Sequence, residues 1–244
     1  MRIARGCPRI AAALLTFVFF TTPSCASEEI KRVLFIGNSL TYSNDLPKMV
    51  ISLTAGRKIA FQVESVAKPN YSLEDHWNDG EALHAIRQGG WDVVILQQGP
   101  SALPESRENL LTWARKFNEV IRQAGAVPAF LAVWPSKDRI GDFDRVLESY
   151  RLAAKETAGI FIPAGAAWRA ALHESVPVYG PDGFHPSRQG SYLAALVIVG
   201  ALCEPCRVSN FPADINISAA EAAPLRRAAE SALKRTRTSI PEHR

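Results

Sequence analysis

Two polar segments far apart in the chain carry the residue types of nucleophilic catalysis. The first is Gly37-Asn38-Ser39-Leu40-Thr41, which directly follows an apolar run and precedes a helical pattern. A serine hydroxyl is a weak nucleophile until a neighbouring base takes its proton and a third group orients that base. Set between a strand end and a helix start, Ser39 would lie beside backbone N–H groups able to stabilise an oxyanion. Read alone, the pentapeptide equally suits a helix cap. The second segment is Pro181-Asp182-Gly183-Phe184-His185-Pro186-Ser187, rich in turn formers and placed just before a long apolar stretch. An aspartate three residues before a histidine can curve back and hold one imidazole tautomer, as a general base requires. Read alone, Asp182 also suits a turn former and His185 a structural loop histidine. The other histidines are worse placed: His76 and His84 fall on one helical pattern, His173 on another and His243 in the tail.

For the two segments to meet, the intervening elements must bring them to one edge. Apolar, β-branched runs predict strands over Arg32–Ile36, Phe61–Ala67, Asp92–Leu96, Val127–Val133 and Ile160–Ile162. Helical patterns cover Asp45–Ala55, with Asn44 or Asp45 as cap and Pro47 in the first turn, and Leu73–Gln88, closed by Gly89-Gly90. Further helices are predicted over Glu105–Ala124, Phe143–Thr157, Ala166–Glu174, Ser187–Cys203 and Ala219–Thr236. Strands alternating with helices imply βαβ crossovers, a parallel sheet and an α/β fold, here a doubly wound three-layer α/β/α sandwich. Ligands in such sheets sit outside the carboxyl ends of the strands. The first polar segment belongs to a loop of that kind; the second lies between the helical patterns Ala166–Glu174 and Ser187–Cys203 and must reach the same edge. No internal repeat or low-complexity linker divides residues 27–244, so one domain is expected.

Together the segments resemble the SGNH (GDSL-type) hydrolase family. The first block matches as G-N-S-L-T, with Asn38 where many members have Asp. The last matches as D-G-F-H-P-S, followed by Gly190, Ser191, Tyr192 and Leu193. The likeness runs from about Val33 to about Leu202. It implies a flavodoxin-like sandwich, a triad of Ser39, His185 and Asp182, and no metal or organic cofactor. The middle blocks depart from the family pattern. Where members usually have a glycine after the second strand, this chain has Lys68-Pro69-Asn70-Tyr71-Ser72. Asn70 is the equivalent expected to lend its N–H to the oxyanion hole, since Asn tolerates glycine-like backbone angles. After the third strand, Gln97-Gln98-Gly99-Pro100-Ser101 replaces the usual G-x-N-D. That run is similar to the branch of carbohydrate-directed acetylesterases in which a glutamine takes the place of the asparagine. Gln98 is the first choice for the side-chain donor, Gln97 the second and Ser101 the third, beside the N–H of Ser39 itself. These glutamines also suit the plain role of satisfying loop backbone groups. Asn38, Tyr71 and Trp134 are expected to shape the substrate pocket, with Tyr42, Trp77 and Tyr179 as further aromatic candidates. The resemblance implies a serine esterase acting on an acetyl or short-chain ester, on a small molecule or a glycan. The same blocks are compatible with an idle triad in a protein that binds a carbohydrate or acyl ligand.

Two other classes fail on sequence. No G-x-G-x-x-G follows the first strand, as dinucleotide binding would want. Ser39 also lacks the second glycine of the G-x-S-x-G elbow. The 28 basic and 24 acidic residues give a net charge of +4. Three of the arginines, Arg2, Arg5 and Arg9, precede the apolar run 10–20 and the small residues Ser24-Cys25-Ala26. This is the pattern of a secretory signal peptide cleaved after Ala26, and its apolar run is too short for a membrane span. Without it, 25 basic residues face 24 acidic ones, so the charge offers nothing to nucleic acid. An exported chain with no lasting membrane insertion is expected, with Cys203 and Cys206 forming a local disulfide.

Overall fold

The computed structural model describes residues 29–203 and 215–238. The expected signal segment 1–26, Cys206 and the end of the tail lie outside the described residues. Five parallel strands form one sheet in the order β2-β1-β3-β4-β5. They are β1 (Glu29–Gly37), β2 (Ile59–Ala67), β3 (Val93–Leu96), β4 (Val127–Leu131) and β5 (Ile160–Ile162). Val33 to Gly37 are buried throughout, because helices cover both faces of the sheet and no side of β1 meets water. All four residues of β3 are buried for the same reason.

The helices are α1 (Ser39–Tyr42), α2 (Leu46–Thr54), α3 (Leu73–Asp79), α4 (Glu81–Gln88), α5 (Pro104–Gln123), α6 (Phe143–Glu156), α7 (Ala164–His173), α8 (Arg188–Leu202) and α9 (Ala219–Thr238). On one face α8 packs against α2, α7 and α9; on the other α5 packs against α3, α4 and α6. The α/β three-layer sandwich expected from the alternation of elements is the architecture found. Helix α8 is apolar almost all round and is correspondingly buried, with Ser187 capping it by accepting from the Gly190 N–H at 3.1 Å.

The chain reverses direction across the sheet between β1 and β3, since β2 lies to one side of β1 and β3 to β5 lie on the other. That switch point opens a crevice at the carboxyl ends of β1 and β3. The segments 37–41 and 97–101 flank it.

Some expectations need correcting. The single helix predicted over Leu73–Gln88 is two, broken at Gly80, whose φ of 86° no helix interior accommodates. Asp45 does not cap α2 with its side chain; it and Asn44 adopt left-handed angles, φ 58° and 54°. A 3-10 turn over Lys137–Asp142 was not expected. Cys203 is buried and held in a disulfide.

Candidate active site

Ser39 opens α1 directly after β1. Asn38 caps that helix, its Oδ1 accepting from the Leu40 N–H at 3.1 Å. The Asn38 side chain also donates to the Tyr71 carbonyl at 3.0 Å, tying the nucleophile loop to the loop after β2. The Ser39 N–H lies in the first turn of α1, where no helical carbonyl precedes it.

Buried Gln97 holds this loop from below. Its Oε1 accepts from the Asn38 N–H at 2.9 Å and the Thr41 hydroxyl at 2.8 Å. Its Nε2 donates to Asn38 Oδ1 at 2.9 Å and to the Gln98 carbonyl at 2.6 Å. Both amide protons are therefore committed, and Gln97 has none left for an oxyanion. It is a clamp on the turn, which removes it as second choice for the donor.

Gln98 is placed differently. Its Oε1 accepts from the Leu73 N–H at 3.1 Å and its Nε2 donates one proton to Ser101 Oγ at 3.0 Å, leaving the second proton uncommitted. The residue is 4% exposed and lines the cleft. Its backbone is gripped by Tyr150, whose hydroxyl donates to the Gln98 carbonyl at 2.6 Å and accepts from the Gln98 N–H at 3.1 Å. Ser101 takes a left-handed φ of 57° in this loop, with its carbonyl accepting from Ser149 Oγ at 2.7 Å. Neither Tyr150 nor Ser149 is marked by any sequence signal beyond an ordinary helical pattern.

The D-x-x-H turn meets this edge of the sheet. His185 Nε2 stands 2.9 Å from Ser39 Oγ, and His185 Nδ1 stands 2.5 Å from Asp182 Oδ2. The other carboxylate oxygen, Oδ1, accepts from the backbone N–H groups of Phe184 at 3.0 Å and His185 at 2.9 Å. The loop is laced to its surroundings. Lys137 N–H donates to the Gly183 carbonyl at 2.7 Å, Trp134 Nε1 to the Phe184 carbonyl at 3.0 Å, and Asn44 Nδ2 to the Pro186 carbonyl at 2.9 Å. Each such bond contributes about 1 kcal/mol net, and together they fix the imidazole over Ser39 although the ring is partly exposed.

The His185 hydrogen bond, joined by the two backbone N–H groups, lowers the Asp182 carboxyl from its usual 3.8 to about 2. The folded value lies below the unfolded one, so the ionised form favours the folded turn. That contribution is present above the unfolded value and is lost as pH falls through about 2. Asp182 is thus ionised whenever the protein works near neutrality. Asp182→Asn is expected to lower kcat by about 10²–10⁴-fold through the imidazole's tautomer and charge. The fold should stay intact with a modest fall in the thermal midpoint, because the Asn Oδ1 can keep both backbone bonds while the contribution of the ionised carboxylate is lost. Steady-state kinetics beside a thermal melt would check it.

The cleft over Ser39 has a volume of about 650 Å³. Asn38, Asn70, Tyr71 and Gln98 line it, and Asn70 holds a left-handed φ of 62°. Trp134 does not. It is 1% exposed, stacked on Trp168 with ring centroids 3.4 Å apart, and acts on the site only by holding the Phe184 carbonyl. Tyr179 packs edge-on against Trp168 and donates to the Pro135 carbonyl at 2.6 Å, Trp77 packs against Trp113 and Phe117, and Tyr42 lies outside the cleft. The wall that sequence reasoning missed comes from Phe184, Pro135, Ser136, Leu103, Ser106, Asn109, Arg139 and Asp142. Much of it is contributed by the unforeseen 3-10 turn and by the start of α5.

No family model and no curated protein matches the chain. Solved structures do. A candidate SGNH hydrolase from Slackia heliotrinireducens is 27% identical, with a TM-score of 0.62, over 72% of this chain and 100% of its own. A DUF4886 family protein from Bacteroides uniformis superposes with a TM-score of 0.71 at 19% identity, over 84% of this chain and 95% of its own. An acetyl-xylooligosaccharide esterase from Geobacillus has the same fold, with a TM-score of 0.58 at 15% identity, over 76% of this chain and 99% of its own. Its sheet order, its serine loop after β1 and these likenesses give the chain the fold of the SGNH (GDSL-type) hydrolases.

Proposed function

We propose that this protein is an exported serine esterase that hydrolyses an acetyl or short-chain ester carried on a carbohydrate, through an acyl-enzyme on Ser39. The observation that carries the reading is the 2.9 Å approach of His185 Nε2 to Ser39 Oγ, with Asp182 on the far nitrogen of the same ring. In that geometry neutral His185 takes the Ser39 proton as Oγ adds to the ester carbonyl. The tetrahedral oxyanion is met by the Ser39 N–H, the backbone at Asn70 and the free proton of the Gln98 amide. The C–O bond to the alcohol then breaks, and the alcohol leaves with the proton from His185. Water repeats the sequence in reverse and releases the acid. Ionised Asp182 stabilises the imidazolium in both halves.

A carbohydrate alcohol is favoured by the likeness to the acetyl-xylooligosaccharide esterase and by the Gln97-Gln98 block after β3. Ser72, Ser101, Ser106, Asn109 and Ser136 line the cleft together with Phe184 and Tyr71. The test is a panel of 4-nitrophenyl esters of rising chain length run beside acetylated oligosaccharides, with an active-serine probe to label the nucleophile. Turnover confined to acetyl and propionyl esters and to acetylated sugars is expected, with labelling at Ser39. A preference for long acyl chains would remove the carbohydrate assignment, and labelling elsewhere would remove the triad. Gln98→Ala is expected to reduce kcat by about 10²–10³-fold, the usual cost of one lost oxyanion donor. An unchanged kcat in that variant would transfer the donor role to another group.

A further inference from the structure

We propose that His76, fixed as the neutral Nε2–H tautomer, is a positioning residue that holds the peptide plane leading into the nucleophile loop. This inference rests on the esterase reading of Ser39. His76 lies on α3, is 0% exposed, and is used by no step of the mechanism above. Its Nε2 is 2.7 Å from the carbonyl of Gly37. A carbonyl oxygen only accepts, so the ring proton resides on Nε2. Nδ1 is buried with no hydrogen-bond partner, so a second proton there would place a charge with nothing to receive it. Burial lowers the imidazole's pKa in the same sense.

The acceptor gives this bond its meaning. The Gly37 carbonyl also takes the Lys68 N–H at 3.1 Å, so one oxygen joins the end of β1, the loop carrying Asn70, and α3. The other end of the same peptide, the Asn38 N–H, is held by Gln97 Oε1 at 2.9 Å. The plane is therefore gripped at both its oxygen and its nitrogen, one residue before Ser39. The His76 ring also meets the edge of Tyr71, whose carbonyl receives the Asn38 side chain, with centroids 5.0 Å apart. Loss of the Nε2 donor leaves Gly37 with one partner and lets the turn rotate relative to the Asn70 loop. Oxyanion donors on two loops then lose their common register. Such a change acts on the transition state, where those donors are used, and leaves ground-state binding of the ester largely alone.

The test compares His76→Phe, which keeps an aromatic body against Tyr71 but has no donor, with His76→Gln, whose amide can reach the same carbonyl. Kinetics with 4-nitrophenyl acetate should show kcat reduced about tenfold in His76→Phe, KM within about twofold, and kcat largely restored in His76→Gln. An unchanged kcat in His76→Phe, or a KM change of the same size as the kcat change, would overturn the proposal. So would a folded His76→Gln no better than His76→Phe. Should either variant fail to fold, long-range ¹H–¹⁵N spectra of the parent protein decide the point. A neutral Nε2–H ring at pH 7 with a slowly exchanging proton is expected, and an Nδ1–H or doubly protonated ring would overturn it. The two readings fail separately: absence of ester turnover and of Ser39 labelling in the parent removes the esterase reading, whereas a parent that works and an indifferent His76→Phe removes this one.

Discussion

Ser39→Ala is expected to lower kcat for an acetyl ester by about 10⁴–10⁶-fold, and His185→Ala by a similar factor. The two groups act as one device across the 2.9 Å contact between Oγ and Nε2, so the double variant should be little worse than either single one. Neither change should unfold the protein. The Ser39 loop is held by Asn38 and Gln97, whose bonds do not involve the Ser39 hydroxyl, and the His185 loop keeps its ties to Lys137, Trp134 and Asn44. The Michaelis constant should move little, because the hydroxyl and the imidazole are engaged chiefly as charge develops. Measured turnover, probe labelling and a thermal melt on the three variants would check this. Full activity in both single variants, with the fold intact, would exclude the triad as the working machinery.

The parts of this site that could be read from sequence are those whose partners are local. Asp182 and His185 are three residues apart, and a turn is enough to bring them together. Ser39 is announced by the apolar run of β1 and by the turn residues after it. The fold class follows from alternating elements that obey simple period rules. The remainder depends on contacts that no spacing encodes. Gln97 and Gln98 are neighbours of one residue type, yet the first turns to Asn38 and Thr41 while the second turns to Leu73 and Ser101. Adjacent residues at a strand end face opposite ways, and only the loops packed there decide which one meets the cleft. Trp134 follows a strand end, as a site residue would, but Trp168 on α7 supplies a stacking partner that draws it inward. His76 looked like one more helical histidine because its acceptor is a backbone oxygen, and backbone oxygens leave no mark in a sequence.

The cleft wall illustrates the same division. Leu103, Ser106 and Asn109 are at the start of α5 and Arg139 and Asp142 are on the 3-10 turn, so two connections after consecutive strands build one wall. Asp142 is 5% exposed and accepts from Arg139 and Arg145 together, so its charge is matched although it is buried. This network fixes the turn that also donates the Lys137 N–H to the His185 loop. Substrate wall and catalytic loop are thereby supported from the same segment.

Gly37→Ala is expected to be a damaging single methyl at this edge of the sheet. A Cβ at Gly37 would fall against Thr41 Oγ1 and within 2.5 Å of Gln97 Oε1. These two atoms are hydrogen-bonded to each other at 2.8 Å, and the same Gln97 oxygen holds the Asn38 N–H. Both are side-chain atoms held in the buried clamp, so the methyl group must break that clamp or displace β1. Overpacking of this kind destabilises by about 1–3 kcal/mol, and a lost bond to a buried amide adds about 1–3 kcal/mol more. The effect on turnover should be larger than the effect on stability, since a displacement of about 1 Å at the nucleophile can lower the rate about 10²-fold. A lowered thermal midpoint together with kcat reduced by about 10²-fold or more is the expected result. The variant should remain folded enough to label slowly with an active-serine probe. Labelling at the parent rate would show that the turn tolerates a side chain there, and that the Gln97 clamp does not set the position of Ser39.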